Sequence, residues 1–217
     1  MKKFVKNIGH KVVVVQAEHE LKMQVESLFR IFETIEREKW TDGFSIQIGW
    51  SNFIVSVKNE EYYILSPDYS GNPFEDYTED LTLALWAQLE QVHFLRKLNM
   101  KNGEGVSFRD KVVVAKNILE VDSIYLQRSG GAERGDSGWY IGPVNEEDDT
   151  EELEAFYVYQ LLKIRPSLIQ VLALPYEYMV IFERDQVKAV LNERDQVKAV
   201  LNERDEDILS GGRNDTN

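Results

Sequence analysis

Ser137 stands in "GDSGW", residues 135–139, the one segment where a hydroxyl is framed by glycines and an acid as an activated nucleophile would be. A serine hydroxyl attacks only when a base takes its proton and donors receive the oxyanion. His93 comes earlier in the chain, with Asp110 or Asp122 between them, so a His–Asp–Ser order can be drawn. The remaining histidines, His10 and His19, have no partner at i+4, so a helical zinc pair is excluded and no metal site is expected. Cysteine is absent, which removes disulfides, thiolate catalysis and cysteine-ligated metal. No phosphate loop, dinucleotide fingerprint or kinase signature occurs, and no cofactor is expected.

Three features argue against nucleophilic serine. The letters match the GDSGG segment of chymotrypsin-like proteases only in part, because Trp139 places a large side chain where that segment has a second glycine. His93 lies in "EQVHFLRK", mid-helix by its pattern and away from a loop mouth. Those proteases are all-β double barrels, whereas this chain reads with at least three helices. The expectation is structural: Gly135 and Gly138 permit a tight loop with positive φ, Asp136 and Ser137 bond local amides, and Trp139 anchors the strand that follows. The same pair occurs at Gly49-Trp50, but the flanking residues share little and the match reads as coincidence.

The second feature with chemical content is "NEEDDTEELE", 145–154, in which seven of ten residues are acids. Acids at a helix start complement the macrodipole, and Asp149 or Thr150 could cap. Seven exceed what capping needs, so Glu146, Glu147, Asp148, Asp149, Glu151 and Glu152 are candidate contacts for a basic partner. The ligand spacing and glycine of a calcium loop are missing.

Net charge is −13 over 217 residues, which repels nucleic acid and anionic membranes and favours basic partners. The hydrophobic fraction of 43% is enough for a packed core. No apolar run approaches the roughly 20 residues of a membrane span, and Val12–Val15 is too short for an export signal, so a cytoplasmic protein is expected.

The elements that must position these residues follow from periodicity. "KVVVVQ" (11–16) reads as a buried strand. Leu21, Val25, Leu28, Phe32 and Ile35 form one stripe of an amphipathic helix. Strands are expected at 44–50, 53–58 and 62–67, and a second helix at 81–98 with Leu85, Leu89, Val92 and Leu95 inward. After a linker at 99–105 come strands at 111–116, 123–128 and 139–142, a glycine-rich loop at 129–138, a helix from Glu154 to Pro166, further helical turns, and a strand at 177–183. "ERDQVKAVLN" occupies 183–192 and recurs letter for letter at 193–202. A seam through Val187, Val190, Val197, Leu201 and Ile208 suggests a helix there. The fold class expected is therefore α+β: two small α+β units with mixed or antiparallel sheets, plus a C-terminal helix. The units are 1–105 and 106–184, the duplicated helical tail is 185–210, and 211–217 is expected to be disordered.

The run "GDSGWYIGPVNEEDDTEELEAFYVYQLLKIRPSLIQVLALPYEYMVIFERD" resembles a small bacterial domain first catalogued as of unknown function and later classed with the immunity proteins of polymorphic toxin systems, the Imm33-like family. The resemblance rests on "DSGW" before a short strand, an acidic segment, a "P-x-L" helix and a strand ending near "FER". It covers about 107–184, and "IQIGWS" and "EDLTLALWAQLEQ" resemble the companion region of longer members. It implies no catalytic residues. Asp136, Ser137, Gly138 and Trp139 would be structural motif residues, and the function would be stoichiometric binding of a protein partner, a basic toxin, through an acidic surface. A cytoplasmic scaffold or regulatory module without a toxin is the alternative reading. Oligomeric state is left open.

Overall fold

The computed structural model describes residues 1–144, 152–192 and 197–201. The chain divides into two compact units, Met1–Leu89 and Glu90–Asn217, and the fold is α+β with one mixed sheet in each.

In the first unit, β1 (Lys2–Ile8) and β2 (Lys11–Ala17) form a hairpin, followed by helix α1 (Lys22–Glu33). The strands β3 (Ser45–Ile48), β4 (Ser51–Lys58) and β5 (Glu61–Pro67) form a meander, and β6 (Tyr77–Thr78) is a short addition to β5. The sheet order is β1-β2-β5-β4-β3, with β2 and β5 parallel. The stripe read from spacing is the one that packs: Leu21, Val25, Leu28 and Phe32 are buried. Helix α2 (Thr82–Lys97) starts at Asp80, whose carboxylate accepts from the Thr82 amide at 3.0 Å. Its buried side is Leu81, Ala84, Leu85, Ala87, Gln91, Phe94 and Leu95, while Val92, expected inward, is exposed.

The outward face of this sheet carries a charged cluster around Tyr63. Lys3 and Lys58 lie over the Tyr63 ring at 5.3 and 5.4 Å, and the Tyr63 hydroxyl donates to Glu61 at 2.8 Å. That hydrogen bond holds the Glu61 carboxyl below its usual range, while Glu79 raises Lys58. All of these groups are wet, so the network adds little stability.

In the second unit the strands are β7 (Lys111–Ala115), β8 (Ser123–Arg128), β9 (Asp136–Pro143), β10 (Leu153–Tyr157), β11 (Tyr178–Glu183), β12 (Gln186–Asn192) and β13 (Val197–Val200). Their order is β10-β7-β9-β8-β11-β12-β13, with β7 and β9 parallel. Across β10-β7-β9-β8-β11 the pairings run antiparallel, parallel, antiparallel, antiparallel, the same succession as β1-β2-β5-β4-β3 in the first sheet. A 3-10 turn (Val158–Gln160), a short helix α3 (Leu161–Ile164) and a 3-10 segment (Pro166–Val171) cover one face, burying Val158, Leu161, Leu168, Ile169 and Val171. The segment expected to link the halves is packed inside this unit, where the Glu104 amide donates to the Ala173 carbonyl at 2.9 Å.

Two expected helices are strands. The helix placed after the acidic run is β10 followed by the 3-10 turn, because Leu153, Ala155 and Tyr157 lie in register with Ala115, Val113 and Lys111 and complete an otherwise open edge. The C-terminal helix is replaced by β12 and β13. The first copy makes the β11–β12 turn and β12, and β13 comes from the second. The copies face opposite ways. Val187 and Val190 are buried in the first, whereas Ala199 and Leu201, the counterparts of half-buried Ala189 and Leu191, are buried in the second. A strand apolar on both sides tolerates this inversion, and the same property let a helical seam be drawn through it. The third partial copy and the 211–217 tail lie outside the described residues.

Removing one copy yields the same sequence whichever copy is cut. That variant is expected to keep β12 and lose β13, at a cost of about 2 kcal/mol for the buried Ala199 and Leu201. Urea unfolding checks the value, and collapse of the whole second unit would contradict the assignment of β13 as an added edge.

Candidate functional site

Motif residues 136–139 form a bulge. Lys111 pairs with Asp136 and Val113 with Tyr140, so two extra residues of β9 are accommodated against β7. Gly138 makes this possible. Its φ is +75°, and a Cβ there would sit 2.5 Å from the Ser129 carbonyl oxygen. Its amide donates to the Asp136 carboxylate at 2.9 Å, which closes the turn.

Ser137 is buried, and its hydroxyl donates to the Lys111 carbonyl at 2.7 Å and accepts from the Trp139 amide at 3.2 Å. It therefore ties the bulge to β7. His93 is exposed on α2 and is not among the hydroxyl's partners. Ser137→Ala is expected to lower stability by about 1–2 kcal/mol, since the Trp139 amide loses its acceptor. It should change no hydrolytic rate on ester or peptide substrates; a measurable rate abolished by the substitution would overturn the structural role.

Trp139 is 1% exposed, and its indole N–H donates to the Leu172 carbonyl at 3.1 Å, fixing the 3-10 segment to the sheet. Gly49-Trp50 works in the same way in the first unit. Gly49 has φ +60°, Trp50 is fully buried, and its indole donates to the Ala84 carbonyl of α2 at 3.0 Å. The repeated pair, read as coincidence from sequence, serves one structural purpose twice.

Arg128 was not singled out by the sequence reading, yet it is a buried cation bonded to three backbone carbonyls. It is 2% exposed. Its Nε donates to the Ser137 carbonyl at 3.1 Å, and Nη1 donates to the carbonyls of Glu104 at 2.6 Å and Leu174 at 2.5 Å. The guanidinium also lies 4.6 Å from the Tyr176 ring and 5.8 Å from Trp139. Burial pushes its pKa below the ordinary value, opposed by Tyr176, Glu104 and Asp110, and an arginine stays charged through such a shift. One cation thus ties β9, the 99–105 segment and the end of the 3-10 segment together. The signal was present in "SIYLQR", where alternation puts Arg128 on the inward side with Ile124 and Leu126. Arg165 acts similarly at the β11–β12 turn, donating to the carbonyls of Val121 and Arg184 and approaching Asp185.

The opposite face of this sheet carries a run of large apolar and aromatic side chains. Val113, Tyr125, Tyr140, Met179 and Ile181 are all half-buried and point outward. At one end of it, beside the bulge, is an open cavity of about 340 Å³ lined by Val113, Ser129–Ala132, Asp136 and Gly138–Tyr140.

Of the acidic candidates, Glu146, Glu147, Asp148, Asp149 and Glu151 lie outside the described residues. Glu152 is exposed beside β7, its carboxylate 2.5 Å from Lys116 and its carbonyl accepting from the Lys116 amide at 2.8 Å. Among the described residues no group of three or more His, Asp or Glu is placed to hold a metal, and no helix is long and apolar enough to cross a membrane.

Residues 90–193 match the family model of the Imm33-like domain. The chain carries an Imm33-like domain. The match opens where the second unit opens, at Glu90, and is wider than the 107–184 resemblance read from the motifs. It includes the first copy of the repeat, and hence β12, and stops before β13. Bulge, Arg128, Trp139 and cavity all belong to the Imm33-like domain. No curated protein and no solved structure matches the chain.

Proposed function

We propose that this protein is a non-catalytic immunity protein that neutralises a bacterial toxin by stoichiometric binding in the cytoplasm. The observation that carries the reading is the Imm33-like match over 90–193. The geometry supports it in two ways. The only serine set in a nucleophile-like motif has its hydroxyl committed to backbone groups, and the domain presents a half-exposed apolar sheet face of the kind protein partners cover.

Charge defines the partner. A molecule of net charge −13 attracts cationic proteins and accelerates the encounter, and a toxin with a basic substrate groove fits. The acids at 146–152 extend that attraction on the segment leading into β10, where Glu152 is exposed.

The test is a pull-down from the source cell at low and high salt, followed by co-expression of the captured protein. A basic partner that binds one to one, dissociates as salt rises, and kills cells unless this chain is present is the expected result. A neutral partner that stays bound at high salt and harms no cell would replace this reading with a scaffold.

A further inference from the structure

We infer that the 340 Å³ cavity beside the Asp136–Trp139 bulge is an anchor pocket for a basic side chain, lysine or arginine, of the protein partner. The inference rests on the partner-binding reading above and adds the chemistry of one contact.

The lining is uneven in a way that specifies its occupant. Val113, Ala132 and Tyr140 supply apolar and aromatic surface, and the Gly130-Gly131 backbone forms a rim without side chains. The only ionisable side chain of acid or base strength in the lining is Asp136. One oxygen of that carboxylate accepts from the Gly138 amide, and among the described residues neither oxygen meets a cation within 4 Å. Lys111, its pairing partner across the sheet, instead holds its ammonium 5.7 Å from the Tyr157 ring. Arg134, two residues away, is exposed and forms no ion pair among the described residues. A carboxylate with a free oxygen, next to an apolar wall and an aromatic ring, complements a side chain with an aliphatic stem and a cationic tip. An acidic side chain would meet like charge, and a purely apolar one would leave the carboxylate without a partner as water is expelled.

The bulge explains why the pocket is here. Two extra residues in β9 open space against β7, and the Gly138 amide fixes the Asp136 carboxylate at the opening. Tyr140 is held over Gly142, where a Cβ would come within 2.7 Å of its ring, so the aromatic wall depends on a glycine two residues on.

The experiment is a titration of the full chain, followed by amide chemical shifts, with the Nα-acetyl methylamides of lysine, arginine, norleucine and glutamate. Lysine and arginine derivatives are expected to give saturable shifts at Gly130, Gly131, Ala132 and Gly138. Asp136→Asn keeps the acceptor for Gly138 and removes the charge, so it should weaken both cationic ligands by about fivefold and leave norleucine unchanged. Binding of norleucine as tight as lysine, preference for glutamate, insensitivity to Asp136→Asn, or no saturable shift would each overturn the proposal. These outcomes are read on isolated side chains, so they stand apart from the toxin-rescue result. A rescue-positive protein with no cationic preference loses the pocket alone, and a cationic pocket without rescue loses the toxin reading alone.

Discussion

Arg128→Ala is expected to remove about 3–5 kcal/mol from the stability of the Imm33-like domain, a large share of the about 5–15 kcal/mol that a domain holds. The size follows from what is left behind. The carbonyls of Ser137 and Leu174 lose a buried donor and that of Glu104 a part-buried one, and a cavity opens against Trp139 and Tyr176. Arg128→Lys should recover only part, since one ammonium cannot span carbonyls that the planar guanidinium reaches from two nitrogens. Hydrogen exchange read by mass spectrometry on peptides from 123–143 and 177–192 checks this, with 51–67 as the internal reference. Protection within 1 kcal/mol of the parent in the alanine variant would show that the three bonds are not what holds these segments together.

Trp139→Ala carries the second large effect, again about 3–5 kcal/mol, because a nearly fully buried indole is lost from between the sheet and the 3-10 segment. Trp139→Phe separates two contributions. Most of the apolar area survives, but the Leu172 carbonyl loses its donor, so a loss of about 1–2 kcal/mol is expected. Since Trp139 and Arg128 touch, the double alanine variant should fall short of the sum of the single ones. Equal losses for alanine and phenylalanine would assign the whole effect to the hydrogen bond.

How far these elements can be read from sequence depends on how much of each is local. Helix α1 was legible because Leu21, Val25, Leu28 and Phe32 recur at helical spacing and all turn inward. β2 was legible from a β-branched run covered on both sides. β1 was not, because "KKFVKNI" buries only Phe4 and owes its strand character to pairing along the whole of β2. β10 and β12 were read as helices for the same reason: short apolar runs fit both periods, and a neighbouring strand edge decides between them. At the site, the glycines of "GDSGW" announced a turn, and the burial of Trp139 could be anticipated. The pocket could not, since it arises from a two-residue mismatch between β7 and β9 that no single segment contains.

The exact repeat leaves the chain with two ways to thread the same edge. Arg165 and Ser167 hold the "ERD" turn of the first copy through Asp185, and the same three letters recur at 193–195 and 203–205. If the second copy occupied that anchorage, the ten residues of the first would be looped out after Phe182 and β13 would vanish. Closing a loop of that length adds an entropic penalty on top of the lost burial, so the observed threading is the more stable isomer. The gap between the two isomers is set by β13 and by the cost of closing that loop, since the contacts of the β12 position would be satisfied equally by either copy.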